Sequence, residues 1–213
     1  MKTDEFITRY REARASAILR TSAAEAAGPA MEAAIRAGFT IVEFTLTTPG
    51  ALDLIAAFAR REGIVVGAGT VLSPDEALKA VEAGAKFLVA PVVDEAVIEE
   101  ARRLDVAVMP GAFTATEMLA AHRAGAPLVK LFPAPGTGPT YVKSILAAMP
   151  FLRIVPTNGV HENNAAAYLK AGALAVGFTT ALFDANDLAA GAFDRTEEKA
   201  RKLLQAAGAS TNA

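Results

Sequence analysis

Short apolar runs alternate with longer stretches in which apolar residues return every three or four positions, from one end of the chain to the other. The short runs fall at Ser16-Leu19, Thr40-Thr45, Ile64-Ala68, Phe87-Ala90, Val106-Met109, Leu128-Leu131, Arg153-Val155 and Leu174-Val176. Their length predicts strands, and the intervening periodicity predicts helices. A phrase marks the rhythm: Ala37-Gly38-Phe39, Ala83-Gly84-Ala85, Ala124-Gly125-Ala126 and Ala171-Gly172-Ala173, each closing an amphipathic stretch. The glycines recur roughly every 41 to 47 residues, the scale of an internal repeat, and each suits a left-handed helix end.

With about two strand-helix units per period, four periods predict eight units. Strict alternation with right-handed crossovers gives a parallel sheet, and eight units in 213 residues predict an α/β protein built as a (β/α)8 TIM barrel with short loops. A doubly wound open sheet is the rival arrangement. An extra N-terminal helix near Asp4-Ala13 would cover the barrel bottom, and Arg195-Ala207 would supply the eighth helix. No linker interrupts residues 1–213, so one barrel domain is expected, with Ala209-Ala213 frayed at its end.

Composition narrows the function. Hydrophobic residues make up 53% and charged residues 21%, with a net charge of -2, so no basic surplus draws nucleic acid. The absence of cysteine excludes disulfides, thiolate nucleophiles and zinc-thiolate sites, and agrees with a reducing compartment. The first residues, MKTDEFITRYREARASAILR, are too charged for a signal peptide, and no apolar run reaches membrane-spanning length. A cytoplasmic protein without membrane or nucleic-acid partners is expected. His122 and His161 have no ligand-like spacing, so no metal site is expected either.

Lys130 stands alone in Leu128-Val129-Lys130-Leu131-Phe132. Burial of its ammonium favours the neutral amine, the form that attacks carbonyl carbon. In Ile41-Val42-Glu43-Phe44-Thr45, alternation puts Glu43 on the face shared by Ile41 and Thr45. Two inward ionisable groups in a barrel predict either acid/base and covalent chemistry or a structural ion pair. Arg20, ending the first strand, offers a fork for a carboxylate or phosphate, and Thr70 in Gly67-Ala68-Gly69-Thr70 offers a hydroxyl beside small residues. Thr157-Asn158-Gly159-Val160 and Gly177-Phe178-Thr179-Thr180 follow strands seven and eight, where barrels often bind phosphate.

Taken in order, Val-Glu43-Phe-Thr-Leu, Gly67-Ala68-Gly69-Thr70-Val71-Leu72-Ser73-Pro74, Pro110-Gly111 with Thr114 and Glu117, and Val-Lys130-Leu-Phe-Pro-Ala resemble the 2-keto-3-deoxy-6-phosphogluconate aldolases. Ala17-Ile18-Leu19-Arg20 and Gly138-Pro139-Thr140-Tyr141-Val142-Lys143 resemble the 2-keto-3-deoxy-6-phosphogalactonate branch. The likeness runs from about Ser16 to Leu182. It implies a class I aldolase: no cofactor or metal, a (β/α)8 barrel, a homotrimer, and a small 2-keto-3-deoxy sugar acid as substrate. It further implies Lys130 as the Schiff-base lysine and Glu43 as general acid/base. By the same likeness Arg20, Thr70 and Pro91 hold the pyruvyl carboxylate and Phe132 walls the pocket. Asn158, Gly159, Gly177, Thr179 and Thr180 take the phosphate end. The chain departs from the family where Asn158 replaces the first of two glycines, and where Thr179-Thr180 replaces a glycine before a serine. An unphosphorylated 2-keto acid, a barrel isomerase and a non-catalytic keto-acid-binding barrel therefore stand as alternatives.

Overall fold

The computed structural model describes residues 1–209; residues 210–213, where fraying is predicted, lie outside them. The elements run α1 (Thr3–Ala13), β1 (Ala15–Leu19), α2 (Ala24–Arg36), β2 (Ile41–Thr45), α3 (Ala51–Phe58), β3 (Val65–Gly69), α4 (Pro74–Glu82), β4 (Phe87–Val89), α5 (Glu95–Arg103) and β5 (Ala107–Met109). There follow β6 (Gly111–Ala112), α6 (Ala115–Arg123), β7 (Val129–Leu131), α7 (Pro139–Ala148), β8 (Ile154–Pro156), α8 (Ala165–Lys170), β9 (Val176–Phe178), α9 (Ala185–Ala189) and α10 (Phe193–Ala206).

Two parallel sheets result, ordered β5-β4-β3-β2-β1-β9 and β6-β7-β8. Chain neighbours are sheet neighbours, with β1 seated between β2 and the last strand; a doubly wound sheet reverses its strand order and this one does not. The sheets meet at two places. Thr157 forms a parallel bridge with Gly177, and the Leu174 N–H donates to the Ile154 carbonyl at 2.9 Å. At the other seam, Pro110 separates β5 from β6, a short strand that the sequence does not predict. Having no N–H, it ends β5, which pairs with β4, while β6 pairs with β7 and the Pro110 carbonyl accepts from Lys130 N–H at 2.9 Å.

Each strand is buried on both faces, and the faces feed different cores. Val42, Phe44, Val66, Leu88, Val108 and Val129 pack outward against the helices. Ile41, Val65, Phe87, Val89, Met109, Leu128 and Val155 join Phe6, Ile7 and Tyr10 of α1 in a second cluster. Alternation of period two therefore holds in the strands, and it puts Glu43 with Ile41 and Lys130 with Leu128 on the inner side. The outer layer is narrow because the helices present alanine: Ala26, Ala27, Ala30, Ala33 and Ala34 are buried in α2.

The four repeat glycines do sit just past helix ends, with φ from 97° to 118°. Helix starts follow local chemistry, as in α6, where the Thr114 side chain and Glu117 form a reciprocal capping box. Most strand ends fall within one residue of expectation and, besides β6, two differences are larger. The last strand begins two residues late, because the apolar run there is uniform and the bridge to Thr157 and pairing of Gly177 with Ser16 set its register. A short α9, which the sequence does not predict, precedes α10.

The inner cluster closes on stacked rings: Phe6 and Phe87 lie 4.6 Å apart at 18°. Phe87 is 1% exposed and also fills the space left by Gly67. Phe87→Ala is expected to lower the unfolding free energy by about 3–5 kcal/mol in urea titrations. A loss below about 1 kcal/mol would show that this cluster contributes little.

Candidate active site

At the C-terminal ends of the strands lies a cavity of about 160 Å³. Lys130 enters its wall from the middle of β7, held on one side by Gly111 of β6 and on the other by Val155 of β8. It is 4% exposed, and its ammonium nitrogen lies 4.6 Å from the centre of the Phe132 ring. Burial pushes its pKa below the ordinary lysine value; Glu43 opposes that shift and Arg20 adds to it.

Glu43 is 1% exposed, and neither carboxylate oxygen has a hydrogen-bond partner among the described residues. Burial raises its pKa, against the opposing pull of Lys130 and Arg20. No salt bridge joins Glu43 to Lys130 among the described residues, so the structural ion pair is not what these two groups form. Burial shifts each toward its uncharged form, which favours the nucleophilic amine and a carboxyl that exchanges its proton at higher pH than an exposed one.

Arg20 follows β1 and donates from Nη2 to the Thr70 hydroxyl at 3.1 Å. Thr70 has φ 59°, a left-handed conformation that a β-branched residue adopts only when its surroundings impose it. Across the mouth, Asn158 and Gly159 both have positive φ, at 57° and 108°. The Asn158 carbonyl accepts from Ala134 N–H at 2.9 Å, and that of Gly159 from Asn164 Nδ2 at 2.8 Å, so this loop is tied down at both residues. The Thr179 carbonyl accepts from Leu182 and Phe183, shaping the turn after β9. Among the described residues no group of three or more His, Cys, Asp or Glu gathers as a metal cluster.

A family model described as KDPG and KHG aldolase matches residues 6–198. The chain belongs to that aldolase family. It is 37% identical over 170 residues to a protein of Rhizobium meliloti (strain 1021) described as a probable 2-dehydro-3-deoxy-6-phosphogalactonate aldolase, covering 78% of this chain and 80% of the relative. It is 35% identical over 187 residues to a 2-dehydro-3-deoxy-phosphogluconate aldolase of Treponema pallidum (strain Nichols), covering 86% and 89%. A solved structure described as native KDPGal superposes with a TM-score of 0.82 at 32% identity, covering 90% of this chain and 93% of that one.

Of the residues singled out in the sequence, Arg20, Lys130, Phe132, Asn158, Thr179 and Thr180 line the one cavity. Glu43 lies deeper on β2, two residues below the cavity-lining Thr45. Thr70, Pro91, Gly159 and Gly177 stand behind the lining. Thr70 meets it through Arg20. The Pro91 carbonyl abuts Gly111, the residue paired with Lys130, so closely that a Cβ on Gly111 would overlap it. Gly159 backs onto the Ala134 carbonyl, and Gly177 leaves room for Thr157 and Ile18. His122 and His161 are exposed, as expected.

The aldolase cavity also includes Ile18, Thr45, Phe183 and Thr157, of which the sequence marks Thr157 only as part of the Thr157-Asn158-Gly159-Val160 loop and gives none of the four a role of its own. Thr157 is fully buried and its hydroxyl has no partner among the described residues. Its signal was available: it follows Val155 by two on an inward-facing strand end. Thr45, also buried, shares its hydroxyl with Thr47 at 3.0 Å and Thr48 at 3.2 Å.

Arg20→Gln tests the electrostatics. Its positive charge disfavours the Lys130 ammonium, so removing it raises the Lys130 pKa toward the ordinary value. The pH midpoint for trapping pyruvate on Lys130 with borohydride is therefore expected to move upward. An unchanged or lower midpoint would contradict the assigned interaction.

Proposed function

We propose that this chain is a class I aldolase that cleaves a 2-keto-3-deoxy-6-phospho sugar acid, of the gluconate or galactonate type, to pyruvate and glyceraldehyde 3-phosphate. The observation that carries this reading is a buried lysine and a buried glutamate that share one interior without pairing. Neutral Lys130 attacks the C2 ketone, and loss of water from the carbinolamine leaves a protonated imine. The ionised form of Glu43 takes the proton of the C4 hydroxyl. The C3–C4 bond breaks, its electron pair moves into the imine, and the aldehyde leaves an enamine of pyruvate on the lysine. Proton return to C3 and hydrolysis release pyruvate and Lys130.

In this reading Arg20, Thr70 and the backbone at Pro91 hold the pyruvyl carboxylate, and Phe132 walls the keto group. Asn158, Gly159, Gly177, Thr179 and Thr180 receive the far end of the substrate, with the unpartnered Thr157 hydroxyl facing its middle. The names of the relatives support a phosphorylated substrate. A second reading, an unphosphorylated 2-keto acid, is favoured by one observation: Asn158, Thr179 and Thr180 offer amide and hydroxyl side chains, and among the described residues Arg20 is the one cation besides Lys130 in the cavity lining.

The two sheets belong, in this proposal, to one closed (β/α)8 barrel forming a single domain, with α1 as an extra helix over its lower end. Supporting it are the Thr157–Gly177 bridge, the Leu174-to-Ile154 hydrogen bond and the packing of Phe6, Ile7 and Tyr10 on inward-facing residues. The chain would work as a cytoplasmic homotrimer. Leu72, Val92 and Phe113, exposed on three successive loops at one end of the strands, support self-association. None of the described helices is long and apolar enough to cross a membrane.

Borohydride with pyruvate is expected to add an irreversible mass to Lys130, and saturating pyruvate without that adduct would refute the imine. Glu43→Gln should retain the adduct while cleavage falls by about 10²–10⁴-fold. Phosphorylated and unphosphorylated 2-keto-3-deoxy-gluconate and galactonate, assayed side by side, decide between the two substrate readings; faster cleavage of an unphosphorylated acid favours the second. Sedimentation at a trimer's mass is expected, and a monomer across micromolar concentrations would exclude it.

A further inference from the structure

β3 carries Val65-Val66-Gly67-Ala68-Gly69, and its two glycines share the inner face with Val65. They leave space for different neighbours. A Cβ built on Gly67 would stand 2.5 Å from both ε carbons of the Phe87 ring, so Gly67 serves the apolar core. A Cβ on Gly69 would overlap Oε1 of Glu43 and stand 2.8 Å from its Cδ and 3.1 Å from its Cγ.

Strand register makes this informative. Glu43 pairs directly with Gly67, and Gly69 pairs with Thr45, two residues nearer the cavity. The Glu43 side chain therefore does not stand over its own partner. It leans one pleat upward, across β3, into the room that the absent side chain at Gly69 leaves. No hydrogen bond holds either carboxylate oxygen there among the described residues. Packing sets its position. Nor does the backbone call for glycine, because Gly69 lies outside the left-handed region.

We propose that Gly69 is a positioning residue for Glu43: the missing side chain lets the carboxylate rise toward the mouth of the cavity, within reach of the substrate proton it transfers. This rests on the reading of Glu43 as the proton-transfer group. An alanine there meets the far end of a flexible side chain rather than backbone, so the protein keeps its fold while the carboxylate is driven aside.

Gly69→Ala is expected to reduce kcat for cleavage by about 100-fold, as for a catalytic group misplaced by about an ångström. Borohydride trapping of pyruvate on Lys130 should stay within about twofold, because amine attack does not need the displaced carboxylate there. Glu43→Asp withdraws the carboxylate by one methylene, so adding Gly69→Ala to that variant should cost less than about threefold more. An equal cost in both backgrounds would overturn the proposal, as would unchanged kcat in Gly69→Ala. A crystal structure of Gly69→Ala separates this inference from the aldolase reading: a carboxylate found in its original place overturns it whatever the activity. Absence of cleavage and trapping in the unsubstituted protein counts instead against the aldolase reading.

Discussion

An ammonium and a carboxylate share one apolar interior here without touching, and the geometry of the cavity follows from that constraint. Withdrawing either ion from water costs several kcal/mol, and a direct pair would recover part of that cost by fixing both charges. Lys130 and Glu43 recover it by moving toward their neutral forms, the lysine downward in pKa and the glutamate upward. A paired lysine would be a spent nucleophile. An unpaired one beside an acid that exchanges protons is suited to opening and closing an imine.

The scaffold keeps the pair apart and buried. Lys130 and Glu43 come from β7 and β2, strands of different sheets, so their separation is set by backbone rather than by side-chain choice. Below them, Phe6, Tyr10 and Phe87 fill the interior with rings, and the Tyr10 hydroxyl is satisfied by Ser16 at 2.7 Å instead of reaching upward. Above them the wall opens to hydroxyls and amides. Glycine appears where a side chain would intrude: Gly69 against Glu43, Gly111 against Pro91, Gly177 against Thr157. Two of the four non-glycine residues with left-handed backbone among the described residues, Thr70 and Asn158, stand at the same rim.

Much of this was legible in the chain. Lys130 and Glu43 were found because a charge in an apolar strand has few cheap explanations, and period-two alternation gave each its direction. Arg20 and Thr70 were each marked as anion-facing, but their mutual hydrogen bond joins residues fifty apart and has no local signature. Thr45, and Thr157 apart from its place in a loop, were given no role because a threonine near a strand end is common; what distinguishes Thr157 is an unmet hydroxyl, a property of its surroundings. Pro110 was visible as a residue, yet its effect of dividing the sheets depends on which strands need its missing N–H.

Local rules determine what each segment is: strand or helix from periodicity, helix ends from Ser73, Thr114, Asp94 and the repeat glycines, inward or outward from parity. These depend on neighbours within a turn or a pleat, so the sequence by itself sufficed for them. Register across strands, the leaning of Glu43 over Gly69 and the gathering of Arg20, Lys130, Asn158 and Thr179 around one cavity were decided only by tertiary structure. Such contacts join residues far apart in the chain. Their strengths depend on desolvation and on space left empty, neither of which any single residue carries.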